Sequence, residues 1–273
     1  MTNGDTGEPH ALESLPPELL TLVAEDLDAR CLAKFAATST MCLAAAHDEL
    51  GVALRTAVHR CLQPGSGPVS DDLVRCPYFR LPDNVVAIPA GAFRGSALTK
   101  LTLPAALTTI GDRALEGTSL TELALPTTVT TIGICACRNC FCLAKLTLPD
   151  TVATIGLGAF GGCICIAELV LPAGLTIISN RAFRGMRSLT KLTLPVALTT
   201  IGSYAFEGCS SLVDVSTLPA TLTAIGDFAF RGCISLSELT LPASGTLTPF
   251  VGRDAFGGCT SMTSVYPWLQ LPQ

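Results

Sequence analysis

Cysteine is the residue type in this chain whose spacing could do chemistry. The chain has 273 residues and 13 cysteines, and six of these fall in two neighbouring groups: Cys135, Cys137, Cys140 and Cys142, then Cys163 and Cys165. Thiolates at such spacings can bind zinc or an iron–sulfur cluster. The alternative is that they are structural, because Cys137 and Cys140 occupy positions of an internal repeat that should point into a core. We predict structural thiols and no metal site.

Other residue types that support catalysis are poorly placed. The histidines, His10, His47 and His59, all precede these cysteines, so none is positioned in the repeats to act as a base. The glycine-rich stretch 156–162 superficially resembles a phosphate-binding loop, but it lacks the lysine and the helix that such loops need. Asp112, Asp227 and Asp254 fit solvated turn positions. We therefore predict no catalytic residue, no cofactor and no enzymatic activity.

A repeated motif between Leu81 and Met262 must position all of these residues. It reads close to Leu-Thr-x-Leu-x-Leu-Pro-x-x-Leu-Thr-x-Ile-Gly-x-x-Ala-Phe-x-Gly-Cys, and one proline of each copy recurs 22 to 24 residues after the last. These prolines are Pro82, Pro104, Pro126, Pro149, Pro172, Pro195, Pro219 and Pro242. A constant period of this length is typical of a solenoid. The motif predicts about eight coils of 22–24 residues that share a parallel β-sheet.

The side-chain pattern within one repeat predicts how each coil is built. Leu192 and Leu194 alternate with polar residues, as in a strand with one buried face. Pro195 ends that strand, and Ile201-Gly202 marks a second short strand whose glycine permits the chain to turn. Inward phenylalanines should form a column of Phe93, Phe160, Phe183, Phe206, Phe230 and Phe256, which Leu115 and Cys137 interrupt. A small buried position should hold Cys140, Cys163, Cys209, Cys233 and Cys259.

Charged residues occupy one exposed position of the first strand in successive repeats. Their sign mostly alternates along the series Lys100, Glu122, Lys145, Glu168, Lys191, Asp214 and Glu238. In a parallel sheet these residues stack about 4.8 Å apart, so unlike neighbours attract. This row is either a candidate partner face or a set of charges that neutralise one another. A second row nearly alternates as well: Arg94, Glu116, Arg138, Gly161, Arg184, Glu207, Arg231 and Gly257.

Composition and charge narrow the choice of partners and compartment. The net charge of −5 resides in residues 1–62, while residues 63–273 are neutral, so we expect no nucleic-acid partner. Residues 1–8 show no basic-then-apolar signal, and no apolar stretch is long enough to span a membrane. We therefore expect reduced thiols, a cytoplasmic or nuclear location and no membrane partner.

The regions outside the repeats predict separate elements. We expect a disordered tail at 1–10, a helical domain at 11–62, a linker at 63–77 and a solenoid at 78–273 that ends in a cap. Apolar residues at helical spacing, among them Leu15, Leu19 and Val23, indicate the helices. Trp268 is expected to cover the last hydrophobic layer of the solenoid.

The repeats resemble the BspA-like leucine-rich repeats, with their L-x-x-L-x-L-P and I-G-x-x-A-F-x-G-C segments. That resemblance implies a curved solenoid with a parallel sheet and a role in protein binding. The helical region resembles an F-box over Leu15-Pro16-x-Glu18-Leu19-Leu20, Val23, Leu27-Asp28 and Leu32-Ala33-Lys34-Phe35-Ala36. By that resemblance, the residues that would contact a Skp-type adaptor of a cullin–RING ubiquitin ligase are Leu15, Pro16, Leu19, Leu27 and Leu32.

Two functional hypotheses follow from these resemblances. In the first, the protein is a non-enzymatic adaptor, the substrate-recognition subunit of a ubiquitin ligase, whose head binds the ligase and whose solenoid binds a protein substrate. In the alternative, it is a structural or adhesion-type repeat protein whose helical head only caps the solenoid.

Overall fold

The computed structural model describes residues 78–239 and 250–262. Within these residues the chain forms about seven turns of a parallel β-solenoid and contains no helix. The eighth predicted coil lies partly outside the described residues, which contain one of its strands and the turn after it. The predicted tail at 1–10, helical domain at 11–62, linker at 63–77 and Trp268 cap lie outside the described residues.

Each of the first seven coils contains two short strands, as the repeat predicts. The first strand of the coils is Tyr78–Arg80 (β1), Lys100–Thr102 (β3), Glu122–Ala124 (β5), Lys145–Thr147 (β7), Glu168–Val170 (β9), Lys191–Thr193 (β11) and Asp214–Val215 (β13). The second is Ala87–Ile88 (β2), Thr109–Ile110 (β4), Thr131–Ile132 (β6), Thr154–Ile155 (β8), Ile177–Ile178 (β10), Thr200–Ile201 (β12), Ala224–Ile225 (β14) and Phe250–Val251 (β15). We number the coils one to eight in this order, each starting at its first strand.

Neighbouring coils bond to one another on up to three sides. Strands pair in parallel with identical register, so that Ile110 lies opposite Ile132 and Leu169 lies opposite Leu192. On the third side, the turn after the second strand bonds through its backbone. There the amide of Phe206 donates to the carbonyl of Ala229 at 2.7 Å.

The core is a set of columns, each made of one repeat position. Phe160, Phe183, Phe206 and Phe230 are fully buried. Their rings stack in parallel with centroids 5.2–5.8 Å apart, and Phe256 extends the column. Leu115 and Cys137 take the same position in coils two and three and are equally buried. The predicted phenylalanine column and its two exceptions are confirmed.

The glycine of the Ile-Gly pair has a role different from the one predicted. At Gly202 and Gly226 the backbone is not left-handed, but an added Cβ would lie 2.5–2.9 Å from atoms of the preceding coil. The left-handed conformation belongs to the residue two positions later, such as Tyr204 at φ 59° and Phe228 at φ 57°. The glycine therefore allows two backbones to approach closely, and the next residues make the turn.

Coil five carries Ser179 at this glycine position, and both strand ladders stop there. Among the described strands, β8 is not paired with β10 and β7 is not paired with β9; the ladder of first strands is also interrupted between β3 and β5. In the neighbouring coil the amide of Gly202 donates to the carbonyl of Ile178 at 2.8 Å. At Ser179 the side-chain hydroxyl donates to the carbonyl of Ile155 instead. Coil five thus contacts coil four at this point through a side chain, while the turn side remains bonded through the amide of Phe160 and the carbonyl of Ala182 at 2.8 Å.

Candidate functional site

The recurring cysteines are buried and bonded to the backbone of the preceding coil. Each thiol donates to the carbonyl at the phenylalanine position one coil earlier; for example, Cys209 Sγ lies 3.4 Å from the oxygen of Phe183. Cys140, Cys163, Cys233 and Cys259 make the same contact at 3.1–3.3 Å. In four of the five cases that carbonyl also accepts an amide within its own coil, so the thiol bonds to the second lone pair of the carbonyl oxygen. The prediction of a small buried position is confirmed.

Three thiols, those of Cys137, Cys140 and Cys163, lie close together in coils three and four. Hydrogen bonding to Cys140, together with burial, raises the pKa of Cys137 and of Cys163. Donation from Cys137, Cys163 and Thr118 lowers the pKa of Cys140. All three cysteines are inaccessible to solvent, so a change in pKa does not make them available to a reagent. Across the part of the chain that the structure describes, no group of three or more His, Cys, Asp or Glu side chains is arranged to hold a metal ion.

Cys142 and Cys165 differ from the buried thiols because both are exposed. They hold equivalent positions in adjacent coils, two residues after the buried cysteine of each coil. The two neighbouring cysteine groups of the sequence are therefore split by the fold into buried structural thiols and a surface pair.

The first charged row lies on the surface with the predicted register. Lys100, Glu122, Lys145, Glu168, Lys191, Asp214 and Glu238 are all exposed. Lys191 lies between Glu168 and Asp214 in the sheet, and Glu122 lies opposite Lys145. In residues 78–239 and 250–262, however, the cross-coil ion pairs join other residues. The row is an alternating surface without direct ion pairs.

The second charged row, on the turn side, forms ion pairs. Arg94 Nε lies 3.0 Å from Glu116 Oε2, and Arg184 Nε lies 2.6 Å from Glu207 Oε2. The glutamates are the more buried partners in both pairs. Gly161 interrupts this row in coil four, where alternation would require an acid. Arg138 therefore has no carboxylate partner in the described part of the chain.

A groove of about 610 Å³ opens where the row is interrupted. It crosses the turn side from coil three to coil six. Four arginines line it, Arg138, Arg181, Arg184 and Arg187, against a single acid, Glu207. Phe141, 54% exposed, and Leu157, 40% exposed, contribute apolar surface to the same groove.

Two small residues of coil four create this space. Gly158 stands where coil six has Tyr204 and coil five has Arg181, and Gly161 stands where those coils have Glu207 and Arg184. The side chains of neighbouring coils therefore border a gap. Arg181 is held at its edge, with its guanidinium 5.2 Å from the centroid of the Tyr204 ring.

Two of the three aspartates assigned to solvated turns also bond to the next coil. Asp112 Oδ1 accepts the amide of Ile134 at 2.7 Å, and Asp227 Oδ1 accepts the amide of Arg253 at 2.7 Å. Coils three and four carry Ile134 and Leu157 at this position, and both are exposed. The apolar residues that replace aspartate at this position therefore lie beside the groove.

Sequence reasoning missed the groove, although its signal was present. The second row shows glycine at 161 where an acid would continue the alternation, and coil four adds Gly158. Each change by itself resembles ordinary variation among repeats. Only the stacking of coils three to six brings these changes to one place.

The residues assigned to adaptor binding lie outside the described residues: Leu15, Pro16, Leu19, Leu27 and Leu32. Among the residues that the structure does describe, none belongs to a helix long and apolar enough to cross a membrane.

The stacked coils define the protein as a leucine-rich-repeat solenoid. A family model for the BspA type leucine rich repeat region matches residues 73–184 and 130–263, with six copies. Because these matches span more than half of the chain, the chain belongs to the BspA-type leucine-rich-repeat family. Comparison of the sequence with curated proteins found no match.

Solved structures of bacterial proteins share the fold. A leucine-rich repeat protein of T. pallidum, TpLRR, is 29% identical with a TM-score of 0.57, over 59% of this chain and 78% of that one. A leucine-rich repeat protein from Eubacterium ventriosum is 33% identical with a TM-score of 0.54, over 57% of this chain. This chain covers only 42% of the length of the latter protein. Both likenesses support a repeat fold suited to protein interaction.

Proposed function

We propose that this protein is a non-enzymatic scaffold that binds another protein through its solenoid. The observation that carries the proposal is the extended surface that about seven near-identical coils build. Such surfaces bind partners over several repeats. The chemistry of the thiols supports the same view, since the recurring cysteines are buried and bonded to backbone carbonyls.

Proximity labelling followed by direct binding tests this proposal. The full chain, fused to a biotin ligase, should enrich specific proteins over the ligase alone, and at least one should bind the purified chain with saturable stoichiometry in calorimetry. If no enriched protein binds the purified chain, the scaffold proposal is wrong.

The more specific proposal is that the scaffold serves a cullin–RING ubiquitin ligase in the cytoplasm or nucleus. It is supported by the F-box resemblance of residues 11–62, where Leu15, Pro16, Leu19, Leu27 and Leu32 would contact a Skp-type adaptor. In this arrangement the solenoid would hold the substrate. The other outcome is a structural or adhesion-type repeat protein whose head is only a cap.

Co-purification with a Skp-type adaptor separates these outcomes. The wild-type chain should retain the adaptor, and the double variant Leu15→Asp/Leu19→Asp should lose it while partners of the solenoid remain bound. If the wild-type chain and the double variant retain the adaptor equally, or if neither retains it, the ligase role is removed and the scaffold proposal remains intact.

A further inference from the structure

We propose that the turn-side groove of coils three to six binds an acidic, leucine-containing peptide segment of the partner protein. This inference rests on the proposed scaffold function and places its contact surface on the turn side, away from the charged strand row. The groove is defined by Arg138, Arg181, Arg184 and Arg187 with Phe141 and Leu157.

The charge of the groove selects an acidic partner. Four arginines face one glutamate there, in a chain whose net charge is −5. Glu207 is already paired with Arg184, and Arg138 has no carboxylate partner among the described residues. Guanidinium groups bind carboxylates through paired, charge-assisted hydrogen bonds. A segment with several carboxylates would supply the acid that Gly161 leaves out of the row.

The apolar surface selects a peptide rather than a small anion. Phe141 and Leu157 expose 54% and 40% of their surface beside the arginines. Ile134, adjacent in sequence to groove residue Cys135, is 45% exposed. Other coils place polar residues such as Asp112 and Asp227 at the position of Ile134 and Leu157. Leucine side chains on an acidic segment would cover these groups and bury apolar area.

Repeat irregularity concentrates at this place. Gly158 and Gly161 remove side chains that other coils carry, and Ile134, Leu157 and Phe141 present apolar side chains. The strand row, in contrast, alternates in sign from Lys100 to Asp214, which gives little net field for a charged partner. A repeat surface that departs from its own pattern in one groove has the features of a binding site.

Gly161→Glu is the sharpest test, because it restores the missing acid. A Cβ at Gly161 would meet its nearest neighbours at 3.4 Å, and the backbone there is not left-handed, so the variant should fold. The probe is a short fluorescent peptide of Glu-Glu-Leu triplets, titrated with the full chain and followed by anisotropy. We expect saturable binding that weakens with salt, and about a tenfold higher Kd for Gly161→Glu.

Matched controls separate charge from shape. Gly161→Gln fills the same space without charge and should retain most of the binding. Arg138→Gln should weaken binding, whereas Arg113→Gln, an exposed arginine of coil two outside the groove, should not. Thermal melts of all variants check folding, and Arg138→Gln carries the test if Gly161→Glu is unstable.

Several results would overturn the proposal. They are binding of a Gln-Gln-Leu peptide as tight as that of the Glu-Glu-Leu peptide, an equal loss of affinity in Gly161→Gln and Gly161→Glu, or no binding of the Glu-Glu-Leu peptide by the wild-type chain. Absence of binding because a second copy fills the groove, as sedimentation would show, or because the acidic segment 1–62 fills it, also overturns it. If a captured partner binds Gly161→Glu and the wild-type chain with equal affinity, the groove is not the binding site, while the scaffold function stands.

Discussion

At the scale of single residues, cysteine position decides cysteine chemistry. Cys209 and Cys233 donate from a buried position to a backbone carbonyl of the preceding coil. Cys142 and Cys165, only two residues beyond the equivalent buried thiols, are exposed. A thiol reacts as its thiolate and only where a reagent can reach it. Two populations of cysteine are therefore expected within the same repeats.

Native alkylation should separate these populations. We expect iodoacetamide at pH 8 to modify Cys142 and Cys165 in the folded protein and to leave Cys209 and Cys233 unmodified until denaturant is added. Peptide mass spectrometry measures the modification at each site. Rapid modification of Cys209 in the native protein would contradict its assignment as a core residue.

Alkaline pH should destabilise the solenoid through the same thiols. Burial raises the pKa of Cys259 to about 12, above the value of about 8.5 for an unfolded thiol. Its contribution to the free energy of unfolding is complete below the unfolded pKa and is lost as pH rises through the folded one. Denaturant titrations between these pH values should show falling stability. Cys259→Ser, which has no thiol to titrate, should show a smaller fall of the free energy of unfolding over this pH range. An unchanged fall would contradict the prediction.

At the scale of the element, the Ile-Gly glycine sets how closely two coils approach. An added Cβ at Gly226 would lie 2.5 Å from the amide nitrogen of Ser203. Coil five already carries such a Cβ, at Ser179, and there both strand ladders to coil four are absent from the described structure. Among the described coils, the ladder of second strands is interrupted only beside Ser179, so the pairing of second strands follows the presence of this glycine.

Gly226→Ala should therefore destabilise the protein by about 1–3 kcal/mol, the usual range for overpacking. Gly174→Ala is the matched control, because its Cβ would meet only Asp150 oxygen at 3.5 Å. Urea denaturation compares the two variants with the parent. Equal stability of the two variants would show that close approach at Gly226 is not required.

At the scale of the whole molecule, stability depends on contacts between neighbouring coils. Phe206 stacks on Phe183 at 5.5 Å and on Phe230 at 5.2 Å. Phe206→Ala should therefore lower the free energy of unfolding by about 3–5 kcal/mol, measured by chemical denaturation. Phe141→Ala, which truncates an exposed phenylalanine, is the control and should melt close to wild type. A parent-like melt of Phe206→Ala would contradict the core column.

The sequence alone determined the solenoid, its two strands per coil and its buried columns. These features repeat at constant spacing, so each copy carries the same local signal: alternating leucines, a strand-ending proline and an inward phenylalanine. The register of the charged row also followed, because equal repeat lengths place equivalent residues opposite one another. Residue identity and period were sufficient for these features.

The tertiary structure alone decided the role of the Ile-Gly glycines, the break at Ser179 and the groove. Each depends on distances between residues about one coil or more apart in sequence, which a single repeat does not contain. Gly161 looked like a gap in an alternating row; stacking showed that four arginines and exposed apolar side chains surround that gap. The same six cysteines that suggested metal chemistry were divided by the fold into buried and exposed thiols, because Cys142 and Cys165 lie in exposed turns directly after the buried position.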